Sequence, residues 1–121
     1  MKIVVSDGHL GSAYVAGLDE AFPGVTFVTP NGADDQKREI ADADAYIGLP
    51  TNDVFWAAKK LRWVHCVGTG VDKYYTVVPD IFKSDVVLTN ARGPHAPPMA
   101  DHVFLLMLGL AHRATWQNRG T

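Results

Sequence analysis

Trp63-Val64-His65-Cys66-Val67-Gly68-Thr69-Gly70-Val71-Asp72 joins an apolar run to a glycine-rich turn. Trp63 to Val67 is hydrophobic at nearly every position, the pattern of a strand covered on both faces rather than one with a wet side. Gly68 and Gly70 flank Thr69 and let backbone amides turn outward, a geometry able to hold a carboxylate or a phosphate. The stretch predicts a buried strand with a ligand-capable loop at its carboxyl end, where open parallel sheets bind their ligands.

Outward from this stretch, similar punctuated runs recur. Ile3-Val4-Val5, Val25 to Val28, Ala45 to Gly48 and Val86 to Thr89 read as four further strands, each bounded by turn residues. Helical signals fill the gaps. Ser12 can cap a helix with Tyr14, Val15, Leu18, Ala21 and Phe22 at helical spacing, stopped by Pro23-Gly24. A polar helix is expected over Asp34 to Ala43, with Asp34 and Asp35 facing the positive end of its macrodipole. Thr51-Asn52-Asp53 offers caps for a helix burying Val54, Phe55, Ala58 and Leu61. A short helix or turn spans about Lys73 to Phe82, interrupted by Pro79. Five strands alternating with helices predict an α/β fold, a flavodoxin-like, doubly wound parallel sheet in the order 2-1-3-4-5 with helices on both faces. No repeat or linker divides residues 1–121, which read as a single domain.

Composition excludes several classes. In 121 residues, 47% are hydrophobic and 20% charged, with a formal net charge of -2. No basic stripe serves nucleic acid. The longest apolar run, Val103 to Ala111, is far short of the ~20 residues that span a bilayer, so no membrane partner is expected. Met1 to Val5 is too short an apolar core for a signal peptide, and the single cysteine, Cys66, fits a buried thiol in a reducing compartment. The cytoplasm is the expected location.

Leu88 to Arg113 combines a strand end, a Gly/Pro-rich crossing and an apolar helix expected over 97–119. Pro97 and Pro98 fit only a helix start, and Asp101 is expected in its first turn. Met99, Val103, Leu106, Met107 and Leu110 form one apolar stripe, and Phe104, Leu105 and Leu108 lie off it. Such a helix is either core or has two partners, which makes self-association through 97–119 an expectation. The tail Thr115 to Thr121 is polar apart from Trp116 and reads as frayed.

The loops beyond the strand ends are Ser6-Asp7-Gly8-His9, Gly48-Leu49-Pro50-Thr51, Gly68 to Asp72, and Asn90-Ala91-Arg92-Gly93. Gly68-Thr69-Gly70 fails as a dinucleotide fingerprint, because Lys73 stands at the third glycine and Asn90 where an acidic residue should end the next strand. Asp7 with Gly48 and Ala91-Arg92 lacks the remaining residues of a phosphoacceptor site, and a carboxylate in the first loop disfavours a flavin phosphate. His9, His65, His95, His102 and His112 show no metal-ligand spacing. His95 alone is placed near a cleft. No nucleophile constellation can be argued, so the catalytic, cofactor-binding and metal residues of this stretch are expected to be none.

Trp63 to Asp72, and Val87-Leu-Thr-Asn-Ala-Arg-Gly93 followed by Met99-Ala-Asp-His102, resemble the substrate loop and hinge of D-isomer-specific 2-hydroxyacid dehydrogenases, including the formate dehydrogenase branch. Glu usually stands where Asp101 is. The resemblance covers essentially the whole chain and implies the family's flavodoxin-like substrate domain. It implies that backbone amides of Gly68, Thr69 and Gly70 hold a small 2-oxo or 2-hydroxy acid, or formate. By the same resemblance Leu49 and Pro50 would shape the pocket wall, and His95 joins the expected substrate-binding residues from its loop position alone. The family's catalytic arginine, acidic residue and histidine, and its dinucleotide glycines, fall beyond Thr121. Arg92, His112 and Arg113 match none of them. The expectation is thus a truncated oxidoreductase: a substrate domain inactive alone, NAD or NADP being bound by a partner cofactor domain. A self-standing module binding a small anion is the alternative.

Overall fold

The computed structural model describes residues 1–113 apart from 7, 9 and 11. The expectations placed on Asp7, His9 and Trp116, and on the last part of a helix over 97–119, fall outside the described residues. Within them the chain forms β1 (Lys2–Ser6), α1 (Ser12–Ala21), β2 (Thr26–Val28), α2 (Ala33–Ile40), β3 (Ala45–Gly48), α3 (Asn52–Ala57), β4 (Trp63–Cys66), α4 (Asp72–Val77), a 3₁₀ helix (Pro79–Lys83), β5 (Val87–Asn90) and α5 (Ala96–Ala111). All strand pairings are parallel and the order is β2-β1-β3-β4-β5. The fold is the flavodoxin-like α/β sheet that the alternating pattern predicts.

Two units emerge, Met1–Ala91 and Arg92–Thr121. In the first, successive side chains of each strand go to opposite faces, and the two faces are unequally covered. Val4, Tyr46, Val64 and Cys66 enter a core with Ile40 of α2, Val54 and Phe55 of α3, Tyr74 of α4, and Val78 and Ile81 around the 3₁₀ helix. On the other face Ile3, Val5 and Ala45 cluster with Val15 of α1, and Leu10, Val25, Phe27, Ile47 and Trp63, partly buried, pack against them. The expected apolar stripe of α1 is therefore only partly used: Val15 is buried, but Tyr14 and Phe22 are more than half exposed. An open apolar cavity of about 280 Å³ lies between α1 and this face.

Where the elements differ from expectation, local physics explains it. Asp34 and Asp35 do occupy the first turn of α2, which buries only Ile40. α3 stops at Ala57, and Thr51 at its N-cap position makes no side-chain cap bond. Pro79 divides the Lys73–Phe82 segment, because it cannot donate to the preceding turn. α5 begins at Ala96, one residue earlier than the prolines suggest, so Asp101 falls in the second turn where the macrodipole acts weakly. α5 ends at Ala111, and Arg113 takes the left-handed conformation (φ 53°) common after helix ends. No residue of α5 is buried. Among the described residues no helix is long and apolar enough to cross a membrane.

The amino end of β1 is fixed by charge. The Lys2 amide donates to Asp44 (2.8 Å), and its ammonium meets Glu39 (2.9 Å) and Asp42. Hydrogen bonds from the Lys2 ammonium hold the Glu39 and Asp42 carboxyls below their usual range, and the Lys2 amide does the same for Asp44. Carboxyls with depressed folded pKa contribute stability above the unfolded value, near 4, and lose it as pH falls through the folded one. Thermal melts should be level above about pH 5 and fall steeply below pH 4. Lys2→Met should flatten that acid limb; an unchanged limb would show the cluster to be inert.

Candidate functional site

An open cavity of about 430 Å³ lies at the carboxyl ends of β3 and β4. Gly48 and Leu49 wall it from β3, Cys66, Val67, Gly68 and Gly70 from β4, and Asp72, Lys73 and Tyr74 from α4. The walls follow from how each strand leaves the sheet. Gly48 ends β3 at φ 123°, a conformation costly for any side chain, and its carbonyl accepts a 2.6 Å hydrogen bond from the buried Tyr74 hydroxyl. That bond ties the end of β3 to α4 between two residues that line the cavity. At Gly70 a Cβ would stand 2.7 Å from Asp72 Oδ2, the movable end of an exposed side chain.

The loop Gly68–Gly70 is held through its carbonyls. The Ala91 amide donates to the Gly68 carbonyl at 3.1 Å, and Asn90 Nδ2 to the Thr69 carbonyl at 2.7 Å. The Cys66 thiol lies 3.5 Å from the Gly70 carbonyl. Among the described residues no acceptor engages the amides of Thr69 and Gly70. Two adjacent unused donors beside a cavity are what an anion requires. The Asp72 carboxylate next to Gly70 opposes this, while Lys73 supplies one cation at the same mouth. Compact ligands with a single negative charge fit that balance best.

Of the residues singled out in the sequence, Leu49, Gly68 and Gly70 line the cavity, with Thr69 exposed on the loop between the two glycines. Pro50 is fully buried. His95 belongs to the Arg92–Thr121 unit, where it precedes α5 and makes no side-chain capping bond. His65 lies on the opposite sheet face from the core cysteine, with Nδ1 2.9 Å from Thr89 Oγ1, which also accepts from Trp63 Nε1 at 2.8 Å. Among the described residues no three potential metal ligands gather. The sequence places Asp72 and Asn90 in ligand-side loops without assigning them a role, names Lys73 only in the failed fingerprint, and does not single out Tyr74. The helical spacing of Tyr74 marks it only as core, and a side-chain bond from Asn90 to a carbonyl 21 residues away leaves no local signal.

A second polar centre joins α3 to the 3₁₀ helix. Asp80 accepts from Asn52 Nδ2 (2.9 Å), Trp56 Nε1 (3.0 Å) and Lys83 Nζ (3.1 Å), and these bonds, Asn52 first, hold its carboxyl below the usual range. It pins α3 to the 3₁₀ helix. No protein-family model matches this chain, and no curated protein sequence does.

Two substitutions test the floor of the site. Gly48→Ala should lower stability by about 1–3 kcal/mol through backbone strain. Tyr74→Phe should cost about 1 kcal/mol by stranding a buried carbonyl. Urea denaturation measures both, and a neutral Gly48→Ala would refute the strained geometry.

Proposed function

We propose that this chain is the substrate-binding domain of an NAD(P)-dependent oxidoreductase of the D-isomer-specific 2-hydroxyacid dehydrogenase type, acting on a small 2-oxo or 2-hydroxy acid or formate. The observation that carries the reading is the pair of unengaged amides at Thr69 and Gly70, beside an open cavity at the strand ends. A carboxylate has two oxygens to accept from such a pair. Leu49, Cys66 and Val67 offer apolar contact for a short carbon chain. The resemblance of Trp63–Asp72 and Val87–His102 to the family's substrate loop and hinge supplies the chemistry.

The residues described do not fit a dinucleotide. Lys73 stands where a third glycine is needed, α4 has only six residues, and the Asp72 carboxylate beside Gly70 would repel a pyrophosphate. Hydride chemistry in this reading belongs to a cofactor held by other residues. What these residues do is bind and orient a carboxylate.

The eight apolar residues exposed on α5, from Met99 to Leu110, suit a helix that meets a partner domain or a second copy. Light scattering should show association of the 121-residue chain that Leu105→Glu with Leu108→Glu abolishes. A concentration-independent monomer would remove α5 as an association surface.

Amide NMR tests the site directly. Millimolar glyoxylate should shift Thr69 and Gly70, the neutral analogue glycolaldehyde should not, and the chain alone should oxidise no NADH or NADPH with glyoxylate. Turnover by the pure chain would sink the reading of a substrate domain. Sulfate shifting the same amides as strongly as glyoxylate would favour the alternative, a self-standing anion-binding module.

A further inference from the structure

We infer that Asn90 is a positioning residue: its carboxamide, together with the Ala91 amide, turns the N–H groups of Thr69 and Gly70 toward the cavity. This rests on the reading that those amides receive the substrate carboxylate.

The argument starts from the planarity of the peptide unit. In a trans peptide the carbonyl of one residue and the N–H of the next point in opposite directions, and the described chain has no cis bond. The Gly68 carbonyl is held by the Ala91 amide, so the Thr69 N–H points away from Ala91. The Thr69 carbonyl is held by Asn90 Nδ2 at 2.7 Å, so the Gly70 N–H points away from Asn90. Both anchors stand at the carboxyl end of β5. The order β3-β4-β5 puts β5 on one side of β4, and β3 with Gly48 and Leu49 on the other. Away from β5 therefore means toward the cavity that Gly48 and Leu49 wall. Two carbonyls fastened on one side aim two donors at the other.

Satisfying the carbonyl does not by itself account for Asn90. Thr69 is exposed, and water can serve an exposed carbonyl at little cost. Nor does strand propensity, which is low for asparagine. What the bond adds is direction. The other side-chain contact to the loop, from Cys66 to the Gly70 carbonyl at 3.5 Å, comes from a weak donor and leaves the Thr69–Gly70 peptide free to turn. An aspartate at 90 has the same shape but no donor, and it would add a charge that repels both the carbonyl and an arriving carboxylate.

The test uses the whole isotope-labelled chain as wild type, Asn90→Ala and Asn90→Asp. Without ligand, the Thr69 carbonyl carbon and Gly70 amide nitrogen should move in both variants, while Val4, Tyr46 and Val64 keep their shifts. Glyoxylate affinity should then fall about tenfold in Asn90→Ala, the order of one oriented hydrogen bond, and further in Asn90→Asp. If both fail to fold, Asn90→Gln, which retains the donor on a longer arm, should still displace the Thr69 carbonyl signal. A folded variant with an unmoved Thr69 carbonyl overturns the inference, as does an affinity loss unaccompanied by that movement. Wild type showing no glyoxylate binding sinks the carboxylate-site reading instead, and the carbonyl shift still decides whether Asn90 sets the loop.

Discussion

Burial of β4 between β3 and β5 is the constraint from which the site follows. β4 sends Val64 and Cys66 into the larger core, and Trp63 and His65, both half-buried, to the thinner opposite face. Once β4 is fixed on both flanks, the residues after it must leave the sheet in the narrow gap between the ends of its neighbours. The glycines at 68 and 70 meet that demand, and what lies on either side of the gap differs. β5 presents donors; β3 presents a cavity. The loop's polarity is thus a product of strand order rather than of the loop sequence alone.

The two sheet faces divide the work. α2, α3, α4 and the 3₁₀ helix build one continuous core that contains Tyr74 and extends to Cys66, so the cavity has a rigid floor. The α1 face is thinner, with only Val15 of α1 fully engaged. Rigidity is concentrated where a ligand's carboxylate would need fixed donors. The Asp80 bonds to Asn52, Trp56 and Lys83 add a brace on the same side, through the helix that follows the β3 loop.

Much of the architecture was legible in the residues because doubly buried strands are short apolar runs, and Ile3–Val5, Ala45–Gly48 and Trp63–Val67 each read so. Helix limits were less legible. Thr51 looked like a cap and makes no capping bond, while Ala57 rather than Leu61 ends α3 because Ala58 turns extended. Pro97 and Pro98 marked a helix start but not its first residue, which misplaced Asp101 by a turn. In the site, glycine spacing revealed the loop, whereas its anchors could not be read. Asn90 is polar at a strand end and signals only a turn; its partner is set by the register Cys66 with Asn90, a long-range fact. His95, placed on a ligand-side loop by its position in sequence, belongs to the unit Arg92–Thr121.

The register also fixes when the loop can acquire its shape. Every strand pairing joins residues far apart in sequence, from Ala45 with Trp63 to Ile3 with Ala45, so the sheet is assembled by slow, non-local closure rather than by hairpins. β5 follows the other strands in the chain, and its last residue with the one after it carries the two groups that hold the Thr69 and Gly68 carbonyls. Fraying of this terminal strand would release the loop while the core around Val4, Tyr46 and Val64 stayed intact, a partial opening of the kind seen in native-state exchange. Competence of the loop and survival of the fold are consequently governed by different free energies, the first set by a four-residue strand at the end of the sheet.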